Sequence, residues 1–359
     1  MSPNQLRLPA EVQFKEELDA LAKEDRPRPH GWKLSPQAAV TYLMGGKAKD
    51  GTTISPKYVG NPRLIETAVA TLATDRALLL LGVPGTAKSW VSEHLAAAVS
   101  GDSQLLVQGT AGTDETQVRY GWNYAQLLAH GPSMKALTPT PVMRAMQDGK
   151  IVRLEELTRM AADGQDTLIT ILSEKVLPIP ELNEAVHAQR GFNMIATANN
   201  RDKGVNDLSS ALKRRFNVVV LPLPSSLEEE IGIVARRVKE LGAGLELPPI
   251  KPADAEIERV VRIFRELREG RTADGKLKLK TPSSTLSTAE AIAATIGAWA
   301  EAGHFGSGEI DADALAGNLV GAIVKDPVQD SVVLQEYLET VVRERSGWRD
   351  LYNAMKAVI

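Results

Sequence analysis

An α/β domain built on a parallel five-stranded sheet, followed by an all-α domain, is the fold class this sequence predicts. Three observations carry it. Five short apolar runs alternate with stretches of helical periodicity between Tyr58 and Pro224. A glycine-containing loop joins the first of those runs to the helix after it. Beyond Leu221 only helical periodicity remains. Strand–helix–strand repetition makes neighbouring strands parallel and covers both faces of the sheet, because each crossover helix returns the chain to the same end. The chain therefore divides into an N-terminal helical arm and linker (1–57), an α/β core (58–224) and a helical lid (225–359).

In the arm, helical pieces surround "PAEVQFKEELDALAKED" and "SPQAAVTYLMGG", and the prolines of "RPRPHGW" separate them. "KAKDGTTISPKYVGNP" is rich in Gly, Pro and Thr and reads as a linker. Leu64, Ile65, Ala68, Val69 and Leu72 then recur at helical spacing. The strands are "ALLLL", "QLLV", "IVRL", "FNMIAT" and "VVVL". In the lid, Leu227, Ile231, Val234, Val238 and Leu241 form one stripe, and Ile257, Val260, Val261, Phe264 and Leu267 a second. Val333, Leu334, Tyr337, Leu338, Val341 and Val342 mark a late helix. Ser226 with Glu229, and Ser287 with Glu290, have the spacing of capping boxes.

Composition excludes several classes of function. The chain has 359 residues, 43% hydrophobic and 24% charged, with a formal net charge of −3. That balance counts against a polycationic nucleic-acid binder. The absence of cysteine rules out disulfides, iron–sulfur clusters and thiolate zinc sites. The five histidines are scattered and form no pair at metal-ligand spacing. No run approaches the ~18 apolar residues that span a bilayer, and "MSPNQLRLPAEVQFKEELDA" has no apolar signal region. A cytoplasmic location away from membranes is the expectation.

Chemistry concentrates at strand ends. A phosphate-binding loop needs a tight turn that converges backbone N–H groups, a helix N-terminus facing the anion, a lysine for the outer phosphates and a hydroxyl for Mg²⁺. "GVPGTAKS" supplies Gly82, Pro84 and Gly85 for the turn, Thr86, and then Lys88 and Ser89 at the start of a helix carrying Trp90 and Leu95. Ala87 stands where such loops usually have glycine; at ordinary helical backbone angles alanine is well tolerated. "IVRLEE" ends a strand in Glu155 and Glu156, whose side chains are expected to face opposite ways, one toward the metal and one toward an attacking water. "FNMIATANN" brings Asn199 and Asn200 to another strand end, where an amide can orient water. "LSSALKRRF" places Arg214 and Arg215 before the last strand, within reach of a neighbouring subunit's phosphate.

The order of these signals resembles that of AAA+ ATPases, which are P-loop NTPases, and among them the MoxR family of the helix-two-insert branch. "YVGNPRLIETAVATLATDRALLLLGVPGTAKS" resembles that family's opening, in which alanine before the lysine is common. The resemblance implies ATP and Mg²⁺ as cofactors, with Lys88 and Ser89 on phosphate and metal and Glu155 and Glu156 as the Walker B pair. It implies Asn199 as sensor one, Arg215 or else Arg214 as arginine finger, and Tyr58, Val59 and Gly60 beside the adenine. "GTDETQVRYGWNYAQLLAHGPSMKALTPTP" resembles the helix-two insert and "KVLPIPELNEAVHAQRG" the presensor-one hairpin, with Val176, Leu177 and Ile179 as its apolar positions. The implied activity is ATP hydrolysis by a ring, a hexamer, that remodels or activates a client protein in chaperone fashion. Proteins of this family act with a von Willebrand factor A domain partner.

Three departures stand out. Glu155 replaces the usual aspartate, Arg153 interrupts an apolar strand with no partner evident in the sequence, and no arginine lies between Thr281 and Ile292, where sensor two is expected. A slow, nucleotide-locked scaffold and a motor on nucleic acid are the alternative readings.

Overall fold

The computed structural model describes residues 5–199, 207–251 and 253–359. It contains two compact units, one of Arg7–Val83 with Ala87–Pro222 and one of Leu223–Ile359 with which residues 5–6 and 84–86 group.

The first unit holds the five-stranded sheet: β1 (Ala77–Gly82), β2 (Leu106–Gln108), β3 (Ile151–Glu155), β4 (Asn193–Asn199) and β5 (Phe216–Val220), in the order β5-β1-β4-β3-β2 and parallel throughout. The continuous apolar runs follow from burial on both sides, which is how parallel strands differ from the alternating pattern of half-solvated ones. Alternate residues of each strand feed different cores. Leu78, Leu80, Ile151, Ile195 and Val219 pack into one cluster with Ile65, Val69, Val91 and Leu95. Ala77, Leu79, Val152, Leu154, Met194 and Ala196 pack into another with Met143, Met146, Leu168 and Ile171. The edge strand β5 leaves Val218 and Val220 exposed.

Residues of the N-terminal segment join the first cluster. Ala10, Leu18, Leu21, Ala39, Tyr42 and Leu43 are buried there, on helices Ala10–Gln13, Lys15–Ala22 and Pro36–Met44. The stretch read as a linker carries a two-stranded ladder, Gly46–Lys47 against Thr53–Ile54, with Ile54 buried. Two further hairpins leave the sheet. Tyr120–Trp122 pairs with Leu137–Pro139, and helix Tyr124–His130 lies between them. Val176–Ile179 pairs with Glu184–His187, burying Leu177 and Ile179 on one face. The Tyr120 hydroxyl donates to Glu181 at 2.7 Å and joins the two hairpins.

The second unit is all-α: Leu227–Gly244, Asp254–Glu269, Thr288–His304, Ala312–Ile323, Gln329–Tyr337 with a π-helical extension to Val342, and Arg349–Val358. The apolar stripes expected from the sequence meet in one core around Val234, Val260, Phe264, Leu315, Leu334 and Tyr337. Ser287 and Glu290 form a full capping box. Ser226 caps its helix by accepting from Glu229 N, but the reciprocal bond is displaced: the Glu229 carboxylate accepts from Ser225 N instead. No helix among the described residues is long and apolar enough to cross a membrane.

Candidate nucleotide-binding site

The register of the sheet assembles the site. Asn199 pairs with Gly82 across β4 and β1, and Gln108 with Glu155 across β2 and β3, so the carboxyl ends of the strands form one row. In open parallel sheets that edge is where ligands bind, since loops leave it and helices begin there.

From Gly82 the chain enters the loop and emerges as α1 (Lys88–Ser100). Gly85 has φ +81°, a conformation only glycine adopts without strain. Ala87 has φ 61° and ψ 23°. This corrects the expectation of helical angles there: the residue before the helix must swing its amide toward the loop's centre, which takes left-handed backbone. Alanine in that region costs about 1–2 kcal/mol because Cβ crowds the following carbonyl oxygen. The Lys88 ammonium is buried and donates to the carbonyls of Gly82 (3.0 Å) and Val83 (2.9 Å), so its charge lies over the loop.

Ser89 and Glu155 are brought together. The Ser89 hydroxyl donates to Glu155 Oε2 at 2.7 Å, and Thr197 donates to the same oxygen at 2.6 Å. Glu155 Oε1 accepts from Ser92 and from Arg153 Nη2 at 2.8 Å. Burial, with Glu155 only 3% exposed, pushes its pKa up; the Arg153 guanidinium and the three hydroxyls push it down further, and the net result is below the ordinary carboxylate range. The partner of Arg153 that the sequence left unnamed is thus a set: Ser92 Oγ (3.0 Å), Ser103 O (3.0 Å), Ser89 O (3.1 Å) and Glu155.

Glu156 does not continue the strand. With φ 59° and ψ 41° it turns left-handed, its N–H donates to Thr197 Oγ1 (3.1 Å), and its carboxylate accepts from Asn199 Nδ2 at 3.4 Å. Arg159 forms an ion pair with the same carboxylate at 3.2 Å. The two acids therefore diverge through a backbone turn and not through strand alternation. Gly109 makes room for that turn: a Cβ there would lie 2.5 Å from Glu156 O. Asn200 lies outside the described residues.

On the opposite flank, Tyr58 is buried and its ring crosses Gly60, where an added Cβ would meet the hydroxyl at 2.8 Å; Val59 is half-buried between them. Trp90 Nε1 donates to Lys57 O at 2.9 Å, tying this flank to α1. Arg215 is folded back, Nε to Ser173 Oγ and Nη1 to Ala211 O, both at 2.8 Å. Arg214 is exposed; its backbone N–H donates to Ser210 O at 3.3 Å, and its guanidinium makes no hydrogen bond or ion pair among the described residues. Sequence reasoning missed Ser92, Thr197 and Gly109. Ser92 sits one turn beyond Ser89 and Thr197 two residues before Asn199, the only signals available.

The site can hold an anion against the loop and a hard cation beside it. Ser89 Oγ is an oxygen donor of the kind Mg²⁺ takes, and Glu155 Oε2, which already accepts from Ser89 and Thr197, would meet the ion through its water shell. Among the described residues no cluster of three or more His, Cys, Asp or Glu could cage a metal alone.

Residues 77–216 match the family model for an AAA domain of the dynein-related subfamily, and residues 228–358 the model for a YehL-like AAA+ ATPase C-terminal domain. The uncharacterized protein YehL of Escherichia coli (strain K12) is 43% identical over 368 residues, covering 99% of each chain. An uncharacterized protein of Staphylococcus aureus (strain USA300) is 24% identical over 202 residues, 56% of this chain and 72% of that one. The crystal structure of NtrX from Brucella abortus in complex with ADP aligns at 15% identity with a TM-score of 0.49; the match covers 82% of this chain and 61% of that chain's length.

Proposed function

Because the chain belongs to the YehL-like AAA+ ATPases, we propose that it binds ATP at the strand-end row and hydrolyses it. The observation that carries this reading is the convergence of Lys88, Ser89, Glu155, Glu156 and Asn199 on one sheet edge. Lys88 exchanges the carbonyls of Gly82 and Val83 for the outer phosphates. Loop amides and the start of α1 face the same oxygens. Ser89 would offer its hydroxyl oxygen to Mg²⁺ while its O–H goes on donating to the Glu155 carboxylate. Mg²⁺, when bound, offsets the charge on the terminal phosphates and holds them for in-line attack. Glu156 accepts a proton from the attacking water, which enters between its carboxylate and the Asn199 amide. Tyr58, Val59 and Gly60 lie beside the base.

The finger acts between subunits of a ring. Arg214, exposed and with no side-chain hydrogen bond or ion pair among the described residues, is better placed for that than Arg215, whose guanidinium is already bonded. Resemblance to the MoxR family supports a hexamer that remodels a client, with a von Willebrand factor A domain protein as partner. The two hairpins joined by Tyr120 and Glu181 are the elements that would meet it.

Calorimetry with ATP tests the site: Lys88→Ala should abolish binding, while Glu156→Gln should bind and release little phosphate. A second reading, a slow nucleotide-locked scaffold, is favoured by the Glu155 carboxylate, whose four acceptor positions are filled. Wild-type phosphate release no faster than that of Glu156→Gln would establish the scaffold and end the hydrolysis reading.

A further inference from the structure

Arg153 is the least expected side chain in the unit. It lies inside a strand that is otherwise apolar, is only 7% exposed, and uses four N–H groups on Ser92, Ser103, Ser89 and Glu155. A guanidinium is buried at such a position only when paired and fully hydrogen-bonded, since an unpaired buried charge is strongly unfavourable. Residues two apart on a strand share a face, so Arg153 and Glu155 both point at α1, where Ser89 and Ser92 are waiting.

The length of Glu155 matters to this arrangement. One carboxylate reaches back along its own strand to Arg153 Nη2 and forward to the Ser89 hydroxyl. An aspartate would draw the carboxylate one methylene toward the backbone and give up one of those ends. The two departures of this strand from the family pattern, Arg153 and Glu155, thus explain each other. Arg153 also holds the Ser89 carbonyl and the Ser92 hydroxyl, so it ties the first turn of α1 to the acid. In a P-loop site that tie is ordinarily made by the metal, which bridges the serine and the acid's water shell.

We propose that Arg153 is a positioning residue that balances the charge of Glu155 from within the strand and pre-forms the metal side of the loop, so that nucleotide binding depends only weakly on Mg²⁺. The inference rests on the nucleotide reading above. With the acid already paired, the phosphates meet a neutral couple when no metal is present. With the couple broken, they meet a bare carboxylate that only a divalent ion can offset.

The test is calorimetry of a non-hydrolysable ATP analogue, in EDTA and in excess Mg²⁺, on the full chain. The quantity is the ratio of the two dissociation constants. For the wild type this ratio is expected below about tenfold; in Arg153→Met it rises by a further tenfold or so, mainly through weaker binding in EDTA, a size typical of coupling between two ligands. Arg153→Lys, which keeps the charge, should stay near the wild-type ratio. Arg153→Gln, which removes the charge but keeps a hydrogen-bond donor, should follow Arg153→Met and serves should that variant fail to fold in a thermal melt. An unchanged ratio in Arg153→Met, or in Arg153→Gln if it stands alone, overturns the proposal while leaving the nucleotide site intact. No binding by the wild type in either buffer overturns both.

Discussion

Replacing Ala87 with glycine should stabilise this protein, against the usual effect of glycine beside a helix. Ala87 has φ 61°, and its methyl group is exposed, so the substitution removes strain without losing packing. Relief of left-handed backbone in an L-residue is worth about 1–2 kcal/mol. The extra freedom glycine gives the unfolded chain takes back roughly 0.5–1 kcal/mol. The net expectation is a gain of about 0.5–1 kcal/mol. Ala70, exposed on the helix Pro62–Leu72 of the same unit, provides the control. There the backbone is right-handed, and Ala70→Gly should cost about 1 kcal/mol. Urea unfolding followed by circular dichroism, compared at equal m-values, reads both changes. Opposite signs for the two variants support the geometry. A loss in Ala87→Gly as large as that in Ala70→Gly would refute it, because it would mean the loop enters its helix right-handed.

Other outcomes follow from the same site. Thr197→Val removes a donor to Glu155 and leaves the Glu156 N–H without its acceptor, so it should cost about 1–3 kcal/mol in the same unfolding assay; a neutral result would mean neither bond matters. The Glu155 pKa is lower folded than unfolded, so its contribution is present above the unfolded value near 4.5 and is lost as pH falls through the lowered folded value. Stability measured from neutral pH down to below pH 4 should therefore fall more steeply in the wild type than in Glu155→Gln, and parallel curves would contradict the shift. Arg214→Ala should spare nucleotide affinity and depress turnover by about 10³-fold if it is the finger, whereas Arg215→Ala should act mainly on stability through Ser173 and Ala211. Loss of nucleotide affinity in Arg214→Ala would place that arginine elsewhere.

Much of the fold is legible in the residues because burial leaves a local trace. Ala77–Leu81 reads as a two-sided strand, and the Val260–Phe264–Leu267 stripe reads as one helix face, since each pattern repeats at its element's own period. Ser287 and Glu290 reveal a helix start because both halves of that cap lie within one turn. Lys88 and Ser89 are legible as candidates for a related reason: a phosphate-binding loop, where one is present, is a contiguous device. Other features depend on atoms that are distant in the chain. Nothing near Arg153 in sequence says that Ser103 and Ser92 will supply its acceptors, and nothing near Tyr42 says that its hydroxyl will meet His94 at 2.8 Å. Backbone sign is equally hidden: the residues alone suggest a helical Ala87 and a Glu156 that follows strand alternation, whereas both are left-handed.

Local order, then, is written in the amino acids: which segments are strands, which are helices, and which residues carry charge at the strand ends. Their meeting is a property of the folded sheet. Registering β4 beside β1 and β3 sets Thr197 and Asn199 against Glu155 and Glu156, and packing α1 on that face closes the serines over Arg153. The reason is range. Periodicity and caps act within a few residues, whereas a buried ion pair is stable only where the whole fold excludes water and supplies its hydrogen bonds.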